Sequence, residues 1–158
     1  MAFTLPDALT CYRLGDPNGL YPIFDATGST ISPGRWNTST TPVIYTSEHY
    51  STAMLECLVH TNGFMPKQQH FIRIQIPAAV SYEGLQPAHL PGWHNSDCID
   101  SKAYGSAWIV EKRSCLLLVP SVVAREERNI LINPAHPDFP KISQDLAVPI
   151  WWDSRLYT

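Results

Sequence analysis

The chain has 158 residues, 44% apolar and only 16% charged, with 11 Lys and Arg against 14 Asp and Glu. A chain of this length buries roughly 70% of its unfolded surface and needs no disulfide or metal to hold a core. Its net charge of −3 excludes bulk nucleic acid as a partner, because phosphate binding needs a basic surface, while one or two arginines suffice for a small anion.

No apolar run approaches the roughly 20 residues of a membrane span. The start, Met1-Ala2-Phe3-Thr4-Leu5-Pro6-Asp7, lacks the basic and apolar regions of an export signal. The expected location is the cytoplasm, where Cys11, Cys57, Cys98 and Cys115 stay reduced. They are widely spaced and form no CxxC pair, so no metal centre is expected. Few charges beside 5 Trp, 7 Tyr and 5 Phe leave two readings of the surface. It is covered by another protein chain, or Ser, Thr, Asn, Gln and Pro solubilise it.

The 14 prolines cut the chain into short elements. Pro17 to Asn37 reads as a long loop. Thr41 to Ser47 reads as a strand leaving a proline. A helix follows from about Glu48 to His60, with Thr46 or Ser47 as N-cap. Phe71 to Ile76 alternates, with Ile72, Ile74 and Ile76 on one face, and predicts a half-buried strand ended by Pro77. Gln86 to Asp100 reads as a second long loop, with His89, His94 and Cys98 exposed on it. A short helix spans about Ser101 to Val110. Cys115 to Val119 is continuously apolar and predicts a central strand. Arg125 to Arg128 is a solvated turn, Asn129 to Asn133 another strand, and Ala147 to Trp152 one more. The mixture predicts an α+β fold with no dividing linker.

On a helical wheel the 48–60 segment is apolar round most of its circumference, so a largely buried helix is expected. His49, Glu56 and His60 share one polar stripe within roughly 40° of arc. A carboxylate on such a helix is costly unless paired. Two readings stand: a plain solvent strip, or one wall of a cleft with Glu56 held by a partner. Tyr45 and Arg35 lie just upstream as candidate partners. Arg35 belongs to the turn Ser32-Pro33-Gly34-Arg35-Trp36-Asn37, which offers in succession a guanidinium, an indole and an amide. Arg can fork onto a phosphate or carboxylate. A Cys57–His60 hydrolase is a poor fit, because Cys57 falls in the apolar arc and a buried thiol is usually inert.

Arg35-Trp36-Asn37 after Gly34, Val43-Ile44-Tyr45-Thr46-Ser47 and Ala53-Met54-Leu55-Glu56 resemble the RES domain, a family named for its recurring Arg, Glu and Ser. Tyr12-Arg13-Leu14 is similar to its opening strand. Gly105-Ser106-Ala107-Trp108 is similar to its Gly-x-x-Trp element, and Val119-Pro120-Ser121 to the segment carrying its Ser. Asn129-Ile130-Leu131-Ile132-Asn133-Pro134-Ala135-His136-Pro137 and Asp153-Ser154-Arg155-Leu156 are similar to its closing motifs. The likeness covers about residues 12 to 157 of what is expected to be one domain over 1–158. Pro33 stands where the family often has Gly, and Ser154 where Pro is usual; neither is a reactive group.

The resemblance implies an ADP-ribosyltransferase-like fold of the diphtheria-toxin type, with split mixed β-sheets and short helices. It implies a bacterial toxin that consumes NAD+ as a substrate, with no resident cofactor or metal. Cleavage of the nicotinamide–ribose bond, with water or phosphate as acceptor, then arrests growth. Transfer of ADP-ribose to a protein is the alternative at the same site, and a non-enzymatic binding module a more distant one. The implied partners are an Xre-type antitoxin that neutralises the toxin and, in many members, a second copy of the chain. DNA contact falls to the antitoxin. Glu56, Arg35, Tyr45 and Ser121 match the family's functional positions. The transition state resembles an oxocarbenium ion, so Glu56 is the expected stabilising carboxylate and Tyr45 the surface for nicotinamide. Arg13, Trp36, Asn37, His60 and Asn133 are the further NAD+ contacts expected. A covered, weakly charged surface fits a toxin held by its antitoxin.

Overall fold

Residues 1–157 are described by a computed structural model. The strands and helices in chain order are β1 (Phe3–Thr4), β2 (Leu9–Gly15), α1 (Thr27–Ile31), β3 (Ile44–Ser47), α2 (Tyr50–Leu58), β4 (His70–Ile76), β5 (Ser81–Gly84), α3 (Ile99–Glu111), β6 (Leu116–Pro120), β7 (Arg128–Ile132), β8 (Ser143–Gln144) and β9 (Val148–Pro149). The strands pair in the order β1-β5-β6-β7-β3-β2-β4-β8, with β9 also on β4. Among the described residues only β5 and β6 run parallel, and α3 lies in the crossover between them; the other pairs are antiparallel. The α+β expectation and its mixed sheet therefore hold.

The continuous apolar run forms the central strand it predicts, because β6 is buried on both faces. Leu116 and Leu118 meet Ile130, Ile132, Ile44 and the β4 isoleucines in one core. Leu117, Val119 and Leu131 face the other way, into a core of Trp36, Trp93 and Trp108. Burial pushes the thiols of Cys11 and Cys115 up to about 12, so both behave as small apolar groups.

The sheet is split where β2 meets β3. These strands share one register pair, Tyr12 with Ser47, whereas β2 and β4 pair over seven residues. Arg13 bridges the gap. Its Nε donates to the Ile23 carbonyl at 2.6 Å and its Nη1 to the Tyr45 carbonyl at 2.8 Å. Arg13→Lys keeps the charge but loses the rigid two-donor fork that holds both carbonyls in place. The expected loss is about 1–3 kcal/mol, read as a lower thermal midpoint, because a half-buried acceptor is left unmatched.

Several predicted elements are redrawn. The helix expected over 48–60 is confined to Tyr50–Leu58, with His49 at its N-cap and no side-chain capping bond. Both expected caps are drawn into the sheet instead. Thr46 Oγ1 donates to the Ile130 carbonyl, and Ser47 Oγ to Asn129 Oδ1. Nor is the helix largely buried. Only Thr52 and Ala53 are, while Leu55 is 41% and Val59 53% exposed, because α2 packs on β2 and β3 along one side. The loop over 17–37 contains α1, and that over 86–100 a 3-10 turn at Pro87–His89. The strand expected over 147–152 shrinks to β9 at the sheet margin. Among the described residues no helix is long and apolar enough to cross a membrane.

Candidate functional site

A cleft of about 1280 Å³ opens along the split. Its lining includes Arg13, Arg35, Lys67 and Lys102 against two carboxylates, Glu56 and Asp97. The cleft is thus basic within an acidic chain. That is a favourable lining for an anion.

Glu56 projects from α2, and its partners come from across the sheet. Ser121 Oγ donates to Oε1 at 2.7 Å, and Asn129 Nδ2 donates to the same oxygen at 2.8 Å. Among the described residues no hydrogen bond reaches Oε2. Ser121 is fixed in turn, because its hydroxyl accepts the Ala124 N–H at 3.2 Å. The expected partners Tyr45 and Arg35 do not bond Glu56. The solvent-strip reading of the stripe survives only in part. His49 pairs with Glu127 at 2.6 Å outside the cleft, whereas Glu56 and His60 line it.

The Arg35 turn is braced from three sides. Asn37 is fully buried. Its amide donates to the carbonyls of Ser29, Thr38 and Thr41, and its Oδ1 accepts from Gly34 N–H and the Tyr45 hydroxyl. The Tyr45 hydroxyl also accepts the Trp36 N–H at 3.0 Å. Burial pushes the Tyr45 pKa up, so this phenol stays protonated and serves as a brace. From α3, Lys102 Nζ donates to the Gly34 and Asn37 carbonyls at 2.6 and 2.9 Å. Two glycines permit the close packing. A Cβ on Gly34 would meet the Tyr45 ring at 2.6 Å, and one on Gly105 the Trp36 carbonyl at 1.9 Å.

This bracing divides the predicted site residues. Arg35 stays at the cleft, its Nη1 donating to the Trp93 and Asn95 carbonyls. Glu56, Tyr45, Arg13 and His60 line the cleft as well. Trp36 touches the cleft wall, but its indole is packed in the core, edge-on to Tyr104. Asn37 is turned inward and holds the loop instead of a ligand. Ser121 lies fully buried behind Glu56, bonded to its carboxylate and off the cleft lining. Asn133 is buried at the end of β7, donating to the Ile109 carbonyl at 3.1 Å and capping a turn at Ala135. It lies away from the cleft because the chain leaves the sheet there.

The sequence reading missed Asn129 and Lys102. A polar residue opening an otherwise apolar strand was the available signal for Asn129. Cys57 lines the cleft, but burial raises its pKa, which keeps it a poor nucleophile.

The fold and cleft together define an α+β chain whose mixed sheet is parted around a basic groove with one fixed carboxylate. The RES domain family matches residues 10–153, and the chain belongs to that family. It is 41% identical over 116 residues to the Prs ADP-ribosylating toxin of Sphingobium sp. (strain YBL2), covering 70% of this chain and 72% of the relative. It is 33% identical over 142 residues to Toxin Res of Pseudomonas putida (strain KT2440), covering 87% and 94%. Its fold is similar to a chain of the M. tuberculosis MbcT–MbcA toxin–antitoxin complex, with a TM-score of 0.69 at 17% identity over 92% of this chain and 85% of that one.

Proposed function

We propose that this RES domain, read as one domain across the chain, is the toxin of a bacterial toxin–antitoxin pair. It acts by breaking the bond between ribose C1′ and nicotinamide in NAD+. The observation that carries this is Glu56, fixed through Oε1 and open at Oε2, in a basic cleft. As the bond breaks, nicotinamide leaves with the electron pair and positive charge grows on the ribose. A carboxylate held beside the ribose stabilises that charge and accepts a bond from a ribose hydroxyl. Arg35 and Arg13 supply the positive field for the pyrophosphate, and the Tyr45 ring forms a wall for nicotinamide. A water oxygen then bonds to C1′ and its proton passes to solvent, whereas a phosphate oxyanion bonds there without losing one. His60 lines the cleft one turn beyond Glu56, and the role read for it is to steer that acceptor. NAD+ is the substrate, and no resident cofactor is assigned.

The acceptor is read as water or phosphate, which depletes NAD+. Transfer to a protein is the second reading, favoured by the name of the 41%-identical relative. The pure protein is expected to release nicotinamide from labelled NAD+, with free ADP-ribose or its phosphate as the other product. A labelled band in cell lysate with little free product would move the assignment to protein transfer. No nicotinamide release under either condition would leave only a binding module. The family likeness supports an antitoxin of Xre type as the neutralising partner, in the same compartment.

A further inference from the structure

We propose that Asn129 is a positioning residue that fixes the orientation of the Glu56 carboxylate, so that one oxygen is held by the protein and the other faces the substrate; this rests on Glu56 being the catalytic carboxylate. Asn129 sits near the start of β7, directly opposite Ser47 of β3. A side-chain amide can present either its oxygen or its nitrogen to a neighbour. Glu56 settles the choice, because an ionised carboxylate only accepts, and the Ser47 hydroxyl then donates to Oδ1 at 2.8 Å. Nδ2 is thereby turned to Glu56 Oε1. The flipped amide would set oxygen against oxygen at Glu56.

Ser121 donates to the same Oε1. Two donors on one oxygen fix the carboxylate plane and leave Oε2 for the reaction. The distance from Asn129 to the helix is also fixed. The neighbouring Arg128 forks onto Glu48 at 2.7 and 2.8 Å, and the Glu48 N–H donates to the Arg128 carbonyl. The segment entering α2 is therefore tied to β7 at Glu48, eight residues before Glu56. The chain Ser47–Asn129–Glu56 runs from sheet to helix along the cleft wall as a single polar relay.

The substitution Asn129→Asp gives this relay a signature that a packing role lacks. Aspartate is nearly isosteric and keeps the acceptor for Ser47. Ionised, it sets a like charge against Glu56 and offers no donor. Once the two carboxylates share a proton, the missing donor returns. Asn129→Asp is thus expected to lower kcat for NAD+ cleavage by about 10- to 100-fold near neutral pH, with KM little changed. Relative to the parent, its kcat should recover as pH falls from about 8 to about 5, through the range where a coupled carboxylate takes up its proton. Asn129→Ala should show the same loss with no recovery at low pH.

The measurement is kcat and KM against pH for the parent, both Asn129 variants and Ser47→Ala, with thermal melting of each. Ser47→Ala removes the bond that steadies Oδ1 and lets the amide swing off Glu56 Oε1, so a fall in kcat of several-fold at unchanged KM is expected; it keeps the test alive if Asn129→Asp does not fold. Parental kcat in the folded variants would overturn the positioning role. So would a loss in Asn129→Asp that is equal at every pH, or one confined to KM. Glu56→Gln run alongside separates the two claims. If it turns over normally, the assignment of Glu56 fails; if it is inactive while the Asn129 variants match the parent, only the role of Asn129 fails.

Discussion

Glu56→Gln is expected to lower NAD+ cleavage by at least about 100- to 1,000-fold, the usual loss for a fixed electrostatic group at a reacting centre. The substitution is unusually clean here. The carbonyl oxygen of the new amide can take the place of Oε1 and still accept from Ser121 and Asn129. Its nitrogen then lies where Oε2 was, so an anionic acceptor becomes a neutral donor on the cleft side alone. The melting temperature should stay within a few degrees of the parent, since the internal bonds persist. Rates of nicotinamide release and a thermal melt on the same preparation check both halves. Turnover at the parental rate would remove Glu56 from the chemistry.

Gly105→Ala should produce the largest loss of stability from a single methyl group. Its Cβ would lie 1.9 Å from the Trp36 carbonyl oxygen and 3.0 Å from the Trp36 Cβ. Backbone cannot yield as a flexible side chain does, so α3 and the Arg35 turn must move apart. The cost is about 3 kcal/mol, the upper end of ordinary overpacking. Lys102 stands on the same helix and holds the Gly34 and Asn37 carbonyls. Its grip would loosen, and Arg35 would lose its place at the cleft. A lower urea midpoint with reduced NAD+ cleavage in the surviving folded protein is the expected pair of results. A midpoint equal to the parent's would show that helix and turn have room to spare.

What was readable in the sequence follows the range of the forces involved. Strands β4, β6 and β7 were legible because alternation or a continuous apolar run reports burial directly. Glu56 stood out because a carboxylate on an apolar helix demands a partner. The identity of that partner was not legible, since Ser121 and Asn129 lie 65 and 73 residues away. Strand β5 was missed because four residues with a buried Glu83 carry no apolar signature. That glutamate is matched by Arg113 at 3.2 Å. In the Arg35-Trp36-Asn37 turn, residue types alone gave no way to say which side chains point inward. Gly105 and Lys102 on a distant helix decide it, and they turn Trp36 and Asn37 into the protein. Thr46 and Ser47 were credible helix caps by type, but strand pairing claimed their hydroxyls first.

The long reach between Glu56 and its two donors has a bearing on synthesis. A growing chain contains Glu56 well before Ser121 and Asn129 have left the ribosome. Until β6 and β7 join the sheet, the carboxylate is present but free to rotate, and the split beneath it has only one side. The fixed carboxylate is therefore assembled late, with the last strands of the core. A cell translating such a chain has the span of those later residues in which to bring a neutralising protein to it.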